Sequence, residues 1–419
     1  MVPMPPVVRH GAPRHAVVAG AGLIGLATAF ELRRRGVAVT LADPEPASGA
    51  TYAAAGMLAP IAETQYGQEG LYPLMAASAV EYPAFIERVS AASGLPTGYR
   101  TEETLVVGVD SADAQSLQDL ANHQRAAGMR VDTITAREAR QLEPALAPHF
   151  AGAIRVPTDH QVDPRLLAAS LIHALDAPVI DTLNGATDPG PVRWFHAKVE
   201  RVLSTRGSEP RVSGVFLDGG ETVQGDAVVL ATGLNAGDAG QLPPNLSLRL
   251  RPVYGDVLRL RVPDSLLLPG EENVIARTVR GRVGGRPVYL VPRADRTLVL
   301  GATSREDGRD SVLAGGVHQL LRDARTILPA VDDCDVLEMI ARARPGTPDD
   351  LPYMGLCSMD GLVISTGHFR HGILLTPVAS RLAAELATGE LDPAVSHERD
   401  HEFLTSTDPA RHSPAHPEM

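Results

Sequence analysis

The sequence of 419 residues has few of the residues from which covalent or metal-held scaffolds are built. Its two cysteines, Cys334 and Cys357, do not form a CxxC pair, so no disulfide framework is expected and a reducing compartment, the cytoplasm, fits best. The fourteen histidines are scattered, and neither an HExxH motif nor a Cys/His spacing typical of zinc occurs. The sequence therefore predicts no metal site.

Long hydrophobic runs are also absent, and no segment has the roughly 20 apolar residues of a membrane-spanning helix. The apolar stretch at residues 16–30 follows basic residues and resembles a secretory signal. A buried strand that leads into a helix is the alternative, and it is favoured because three glycines recur in the stretch at fixed spacing. The formal net charge of −12 argues against nucleic acid and anionic membranes as partners, since neither attracts an acidic protein.

The rest of the composition is that of a globular protein. Apolar residues make up 44% and charged residues 21% of the chain, and its length suits two packed domains. Strand-like and helical patterns alternate along most of the sequence, which predicts an α/β fold. Residues 248–303 contain short strand patterns with little helix between them, which predicts an antiparallel sheet inserted between segments of the α/β domain.

A dinucleotide-binding motif lies near the amino terminus. The strand pattern AVVA at residues 16–19 is followed by GAGLIG, which is the spacing GxGxxG in its required context between a strand and a helix. Gly20 allows the tight turn, Gly22 lets the backbone approach a pyrophosphate, and Gly25 lets the helix pack on the strand. A second strand ends at Asp43, 23 residues after Gly20, where a carboxylate binds a ribose that carries no 2′-phosphate. The motif predicts FAD or NAD and does not choose between them.

Four further stretches carry a resemblance to a known family. They are SGATYAAAGMLAP at residues 48–60, DAVVLATG at 226–233, ARARPGTPDDLPYMG at 341–355 and STGHFRHGILL at 365–375. The last two are the most specific, and they resemble the signature RPGTxDxxPxxG…GHxRxGILLxP of the glycine oxidases within the D-amino-acid oxidase superfamily. The resemblance extends over residues 16–391 and selects flavin as the cofactor.

The resemblance implies an α/β fold in which a Rossmann-type FAD-binding domain is interleaved with an antiparallel β-sheet substrate domain. On this basis residues 13–90, 151–240 and 335–400 are assigned to the FAD-binding domain, and residues 91–150 and 241–334 to the substrate-binding domain. The remaining terminal segments, residues 1–12 and 405–419, are rich in proline or polar residues and are predicted to be disordered.

The resemblance also implies how FAD is held. Cys357 does not match the position of the flavin-linked cysteine of sarcosine oxidases, so FAD is expected to bind noncovalently. The family places FAD against the glycine-rich turn, the second strand, the small-residue segment and the GHFRHG loop. The cofactor-binding residues implied are Gly20, Gly22, Leu23, Ile24, Gly25, Asp43, Pro44, Ala50, Thr51, Ala55, Gly56, Met57, Val199, Gly233, His368, Phe369, Arg370, His371, Gly372, Ile373 and Leu374.

The same family binds the carboxylate of an amino acid with the arginine of RPGT, which is Arg344 here. A guanidinium suits a carboxylate because it forms two parallel hydrogen bonds with it. On a strand Arg342 would share a face with Arg344, so the spacing does not show which of the two binds the carboxylate. The match to RPGT identifies Arg344. The other substrate-binding residues implied are Arg370, Tyr289 and Met57.

The activity implied by the resemblance is an FAD-dependent oxidase that deaminates glycine, and also sarcosine or small D-amino acids, by hydride transfer to flavin N5. The products are an imine or glyoxylate, ammonia and hydrogen peroxide, and no strong general base is required. Alternatives are a D-amino-acid, sarcosine or other small-amine oxidase, and an FAD-linked amine dehydrogenase that uses an acceptor other than oxygen. A noncatalytic FAD-binding protein would leave Arg344 without a role.

Relatives further imply a homo-oligomer, specifically a tetramer, and a link to a thiazole synthase in thiamine biosynthesis. Three departures from the family pattern leave the identity of the amine open. The chain has ARARPGT in place of GLRPGT, Pro287 in place of a histidine near the substrate, and Tyr52 in place of a smaller residue.

Overall fold

The computed structural model of the chain describes residues 13–183, 185–207, 210–237, 242–243, 246–267, 269–391 and 398–413. The predictions for residues 1–12 and 414–419 lie outside these ranges. The strands are β1 (His15–Ala19), β2 (Ala38–Ala42), β3 (Met57–Leu58), β4 (Thr104–Gly108), β5 (Asp132–Ile134), β6 (Gly152–Val156), β7 (His160–Gln161), β8 (Arg193–Phe195), β9 (Val199–Ser204), β10 (Val212–Leu217), β11 (Thr222–Gln224), β12 (Ala227–Leu230), β13 (Arg251–Arg261), β14 (Thr278–Val283), β15 (Arg286–Pro292), β16 (Thr297–Gly301), β17 (Asp335–Gly346), β18 (Tyr353–Leu356) and β19 (Leu362–Thr366). The α-helices are α1 (Leu23–Arg34), α2 (Ala50–Ala53), α3 (Tyr72–Ser93), α4 (Ser111–Ala126), α5 (Ala136–Leu142), α6 (Pro164–Asp176), α7 (Ala314–Arg325), α8 (Thr376–Thr388) and α9 (Glu398–Ser406). Short 3-10 helices cover Gly233–Gly237, Asp264–Leu266, Pro329–Asp333 and Pro409–His412.

The first strand lies inside a largely parallel sheet with the strand order β18-β19-β12-β1-β2-β8. Its edge strand β18 runs antiparallel to β19, and the other neighbouring pairs are parallel. The strands β1 and β12 are apolar and almost wholly buried, as expected where a parallel sheet is covered on both faces. Helices α1, α3, α6 and α8 pack on one face, and the small sheet β11-β10-β9 covers the other.

A second sheet has the strand order β17-β13-β16-β15-β14-β4-β6-β5. Its pairs are antiparallel except for β14 and β4, which run parallel. Alternate residues of β16 face opposite sides, so Leu298 and Leu300 join the core around α7 whereas Val299 packs with Ala53 and Ala55 of the small-residue segment. The predicted combination of an α/β domain with an antiparallel sheet is confirmed, and the predicted cofactor segment lies between the two sheets.

Two strands in the ranges that the sequence assigned to the FAD-binding domain pair into the second sheet. They are β6, in the range 151–240, and β17, in the range 335–400. The domain boundaries themselves stay a prediction. A motif that faces a cofactor does not have to belong to the cofactor's own domain, because both sheets border the space between them. The helix α3 also continues to Ser93, beyond the boundary at residue 90.

Residues 405–413 fall in the terminal segment for which the sequence predicts disorder. The helix α9 extends through Ser406, and a 3-10 helix follows at Pro409–His412. The guanidinium of Arg411 lies 4.1 Å from the ring centroid of Tyr353 on β18. Contacts with the edge of the parallel sheet thus order a segment whose composition alone predicts disorder.

The apolar run at residues 16–30 forms most of β1, the glycine-rich turn and the first part of α1. Of the two interpretations that the sequence allowed, the structure has the strand that leads into a helix. None of the helices in the described ranges has both the length and the apolar content needed to cross a membrane. Within the same ranges, no three His, Cys, Asp or Glu side chains are grouped so that they could hold a metal ion.

Candidate active site

A cavity of about 680 Å³ lies between the two sheets. One wall is formed where β1, β2, β12 and β19 end, which is where open α/β sheets bind their ligands. The opposite wall is formed by residues of β13, β15 and β17. The volume is in the range of small-molecule and cofactor sites. All four predicted substrate-binding residues line this cavity, and so do the predicted cofactor-binding residues other than Gly25, His371 and Leu374.

These three exceptions lie behind the cavity wall. A Cβ on Gly25 would overlap the carbonyl oxygen of Gly20, so α1 approaches the turn only because this residue has no side chain. Leu374 is buried in the core around α1 and α8. His371 is buried as well, and its Nδ1 lies 3.8 Å from Oε2 of Glu63.

The turn after β1 and the end of β2 form one end of the cavity. Gly20 has a φ of +94°, and a Cβ there would lie 2.5 Å from the carbonyl oxygen of Ala231. The Asp43 carboxylate accepts the N–H of Ala21 at 2.7 Å and that of Glu45 at 2.8 Å. These bonds hold the carboxylate beside the glycine-rich turn, where a ribose hydroxyl can donate to it.

The small-residue segment forms the middle of the cavity. Thr51 accepts at Oγ1 the N–H of Leu23 at 3.1 Å, which ties α2 to the first turn of α1. Tyr52, one of the departures from the family pattern, does not line the cavity. The guanidinium of Arg165 instead lies 3.5 Å from its ring centroid. The larger side chain at position 52 therefore packs on an arginine outside the cavity and leaves the cavity free.

The loop before α8 forms the other end of the cavity. The hydroxyl of Tyr82 donates to the carbonyl oxygen of Ile373 at 3.0 Å, and Oγ of Ser78 donates to that of Leu374 at 2.7 Å. The amide groups of Gly372 and Ile373, which line the cavity, have no acceptor among the described residues. Two side chains of α3 thus fix the carbonyl groups of the loop, and free N–H groups near a helix N-terminus are left for a partially negative ligand atom.

The residues present fit the FAD that the sequence predicts. The cavity has a carboxylate for a ribose at one end and free amide groups at the other, which are the groups that the two ends of FAD require. His368 lines the cavity and is 5% exposed, and its Nε2 has no hydrogen-bond partner among the described residues. Burial lowers the pKa of His368 to about 4, so the imidazole is neutral near pH 7. A buried polar atom without a partner is rare, and a ligand in the cavity would satisfy it.

Two glycines make room for the predicted substrate-binding residues. Tyr289 on β15 pairs with Gly301 on β16, where a Cβ would lie 2.5 Å from Cζ of the tyrosine ring. The guanidinium of Arg344 occupies the corresponding space over Gly255 on β13. Neither glycine lies in a motif that the sequence analysis recognised.

Arg344 and Arg370 both line the cavity, and neither makes a hydrogen bond or a salt bridge with a described residue. Burial lowers the pKa of Arg344, and the nearby charge of Arg370 lowers it further, but a guanidinium remains protonated at neutral pH. Burial raises the pKa of Tyr289, which keeps its hydroxyl protonated. The cavity therefore presents two unpaired cations and a hydroxyl donor, which together suit a carboxylate.

Arg342 differs from Arg344, although spacing alone did not separate them. Its side chain is exposed, with Nε donating to the carbonyl oxygen of Ser48 at 3.1 Å and Nη1 to that of Ala341 at 3.0 Å. Because these bonds engage the Arg342 guanidinium, the unpaired arginine of this strand is Arg344.

The cavity wall contains an ion pair that no sequence motif predicted. The carboxylate of Glu63, which lines the cavity, accepts a hydrogen bond at Oε1 from Nη1 of Arg280 at 2.7 Å, and both residues are buried. Arg280 pairs with Tyr289 across β14 and β15. The one signal in the sequence is an arginine inside the strand pattern TVRGRV, and that signal does not reveal its partner 217 residues away.

Three comparisons with known proteins agree with this geometry. A family model described as FAD dependent oxidoreductase matches residues 15–386. The chain is 32% identical to a protein named glycine oxidase from Geobacillus kaustophilus, over 88% of this chain and 91% of that protein. The crystal structure of glycine oxidase from Geobacillus kaustophilus superposes with a TM-score of 0.79 at 30% identity, covering 97% of this chain and 100% of the other.

A further relative is longer than this chain. The protein named bifunctional protein ThiO/ThiG from Trichormus variabilis is 32% identical over 92% of this chain. The match covers 54% of that protein, so the chain spans about half the length of this relative.

Proposed function

Because the chain belongs to the family of FAD dependent oxidoreductases, we propose that it is an FAD-dependent oxidase that deaminates glycine or another small amino acid. The observation that carries the proposal is the Arg344 guanidinium, which has no partner among the described residues and lines the same cavity as the protonated hydroxyl of Tyr289. The similarity to proteins named glycine oxidase supports glycine as the first substrate to test, with sarcosine and small D-amino acids next.

The two ends of the cavity suit the two ends of the cofactor. FAD, when bound, supplies the hydride acceptor, and its reoxidation by oxygen yields hydrogen peroxide. The carboxylate of Asp43 would hold the ribose, and the turn at Gly20 and Gly22 would let the pyrophosphate approach the backbone. The free amide groups of Gly372 and Ile373 would donate to the electron-rich edge of the flavin ring.

The other side chains of the cavity suit the carboxylate of an amino acid. Arg344 binds it through two parallel hydrogen bonds, and Tyr289 donates a third from its hydroxyl. Arg370 adds positive charge, and Met57 closes the apolar side of the site. A carboxylate fixed in this way orients the α-carbon for the transfer of its hydride as an amine becomes an imine.

We further propose that the imine product enters thiamine thiazole biosynthesis through a thiazole synthase partner. The similarity to proteins named bifunctional protein ThiO/ThiG supports this link. A homo-oligomer in the cytoplasm is part of the same proposal; the tetramer that the family resemblance implies and the low cysteine content support it.

The test is the anaerobic addition of glycine to the purified yellow protein while the visible absorbance of the flavin is recorded. Bleaching that reverses in air with release of hydrogen peroxide is the expected result. Bleaching that air does not reverse would instead indicate a dehydrogenase with another electron acceptor. An unchanged spectrum would reject glycine, and sarcosine, D-alanine and D-proline would then be tested in the same way.

A further inference from the structure

A buried carboxylate lies in the wall of the cavity beside the proposed substrate-binding residues. Glu63 is 7% exposed and lines the cavity together with Met57 and Tyr289. Its Oε1 accepts the hydrogen bond from Arg280. Its Oε2 makes no hydrogen bond with a described residue, and lies 3.8 Å from Nδ1 of His371. One carboxylate oxygen is thus available to a molecule in the cavity.

Strand pairing and side-chain contacts keep Glu63 at the substrate end. Its partner Arg280 is the cross-strand neighbour of Tyr289, and Nη1 of Arg280 also lies 3.5 Å from the sulfur of Met57. The other acidic residues that line the cavity do not compete with Glu63, since they lie at the ribose end or are exposed; they are Asp43, Glu45 and Asp310. Among the described residues Glu63 is therefore the buried acid next to the proposed carboxylate clamp.

The surrounding charges keep Glu63 ionised. Burial by itself raises the pKa of Glu63, but the positive charges of Arg280 and Arg370 and the hydrogen bond from Arg280 outweigh this effect and hold the pKa below its usual range. Burial raises the pKa of the neighbouring Asp159 to about 7 and lowers that of His371. The remaining charged or titratable groups that interact with this cluster are Tyr289, Arg344 and Asp350.

The two unpaired arginines give an acid at this place a role in binding. Arg344 and Arg370 attract the carboxylate of an amino acid but repel its ammonium group. An amino acid is a zwitterion at neutral pH, so an anionic partner in the same cavity would offset this repulsion.

Resting on the proposed function, we propose that Glu63 binds the ammonium group of the substrate through its Oε2. Arg280 is a positioning residue, because its bond to Oε1 holds the carboxylate and leaves Oε2 available.

The binding test uses a matched pair of small ligands with the FAD-loaded protein. 2-Aminoisobutyrate has an amine and a carboxylate but no α-hydrogen, so it cannot be oxidised, and isobutyrate is the same molecule without the amine. Calorimetry should show that the wild-type protein prefers 2-aminoisobutyrate by at least about tenfold, the size of one charge-assisted hydrogen bond. Glu63→Gln should lose this preference while its affinity for isobutyrate does not fall.

The matched control is Glu103→Gln. Glu103 is 8% exposed and also pairs with arginines, Arg155 and Arg277, but it does not line the cavity. This variant should keep the wild-type preference. A preference that is equal in the wild type and Glu63→Gln would overturn the role of Glu63 and leave the Arg344 clamp standing. If neither ligand binds the wild-type protein, the proposed function fails and this inference fails with it.

If Glu63→Gln does not fold, a measurement on the wild-type protein alone tests the proposal. Calorimetry in two buffers of different ionisation enthalpy counts the protons released when 2-aminoisobutyrate binds near neutral pH. An ammonium group that stays protonated beside Glu63 predicts a release close to zero, whereas about one proton per ligand would mean that the amine binds neutral and would overturn the proposal.

Discussion

Gly255 on β13 lies beneath the guanidinium of Arg344 on β17, at a place where a Cβ would be 2.6 Å from Nη2. The two residues are diagonal neighbours, because Gly255 pairs with Arg342 and Val253 pairs with Arg344. The missing side chain creates the space that the arginine occupies. The contact is with the flexible end of a side chain. A larger residue at position 255 would therefore move the Arg344 guanidinium and leave the two strands in place.

The substitution Gly255→Ala should therefore weaken substrate binding without loss of FAD. A displaced guanidinium forfeits at least one charge-assisted hydrogen bond, worth about 1.5–3 kcal/mol, so the affinity for the amino acid should fall roughly tenfold or more. Gly315→Ala is the control, because nothing lies within 4 Å of a Cβ at that position. Titrations with isobutyrate and the flavin absorbance per protein measure the two effects, and unchanged affinity in Gly255→Ala would contradict the prediction.

Arg344→Met should abolish the carboxylate clamp, and Arg342→Met should not. The first substitution removes an unpaired, half-buried guanidinium, and the second removes an exposed one that already donates to the Ser48 carbonyl. Turnover of the amino acid at subsaturating concentration should fall at least about tenfold in Arg344→Met, with its flavin content retained. An equal loss in both variants would show that the general positive charge of β17 matters and that a specific clamp does not.

The variant Asp43→Ala should bind FAD more weakly than the wild type while it remains folded. Its carboxylate is fixed by the N–H groups of Ala21 and Glu45 beside the glycine-rich turn. Asp226→Ala is a matched control, because Asp226 also accepts two backbone N–H groups, at 3.0 and 3.3 Å, but at the opposite end of β1. Fluorescence of FAD released on dilution measures retention, and equal release from both variants would argue against a ribose contact at Asp43.

His368 should make the protein less stable in acid. Burial lowers its pKa from 6.5 to about 4, so below pH 6.5 the unfolded chain binds a proton that the folded chain does not bind. This contribution to stability is present above pH 6.5 and is lost as the pH falls toward 4, by at most about 1.4 kcal/mol per pH unit and about 3 kcal/mol in total.

Urea unfolding at pH 5 and pH 7 tests this prediction. The difference between the free energies of unfolding at the two pH values should be smaller in His368→Gln than in the wild type. The exposed His149 provides the control His149→Gln, which should keep the wild-type difference. A wild-type difference that is unchanged in His368→Gln would mean that other groups cause the acid sensitivity.

The parts of the site that local motifs encode were predictable. The glycine-rich turn and Asp43 lie 23 residues apart, and their geometry follows from one strand, one turn and one helix. The parts that depend on strand pairing were not. The pairing of β17 with β13 in the second sheet was not predicted, because the signature that faces the cofactor gives no information about which sheet its strand joins.

The sequence by itself determined the fold class, the FAD family and the residues of its motifs, because steric limits on glycine turns and the periodicity of buried strands act over short stretches of chain. Only the tertiary structure decided that Arg344 is unpaired while Arg342 is engaged, that Gly255 makes room for a guanidinium, and that Glu63 meets Arg280 across 217 residues. These facts depend on the register of the second sheet and on how it packs against the first. Such long-range pairings result from the burial of whole surfaces, and no local pattern specifies them.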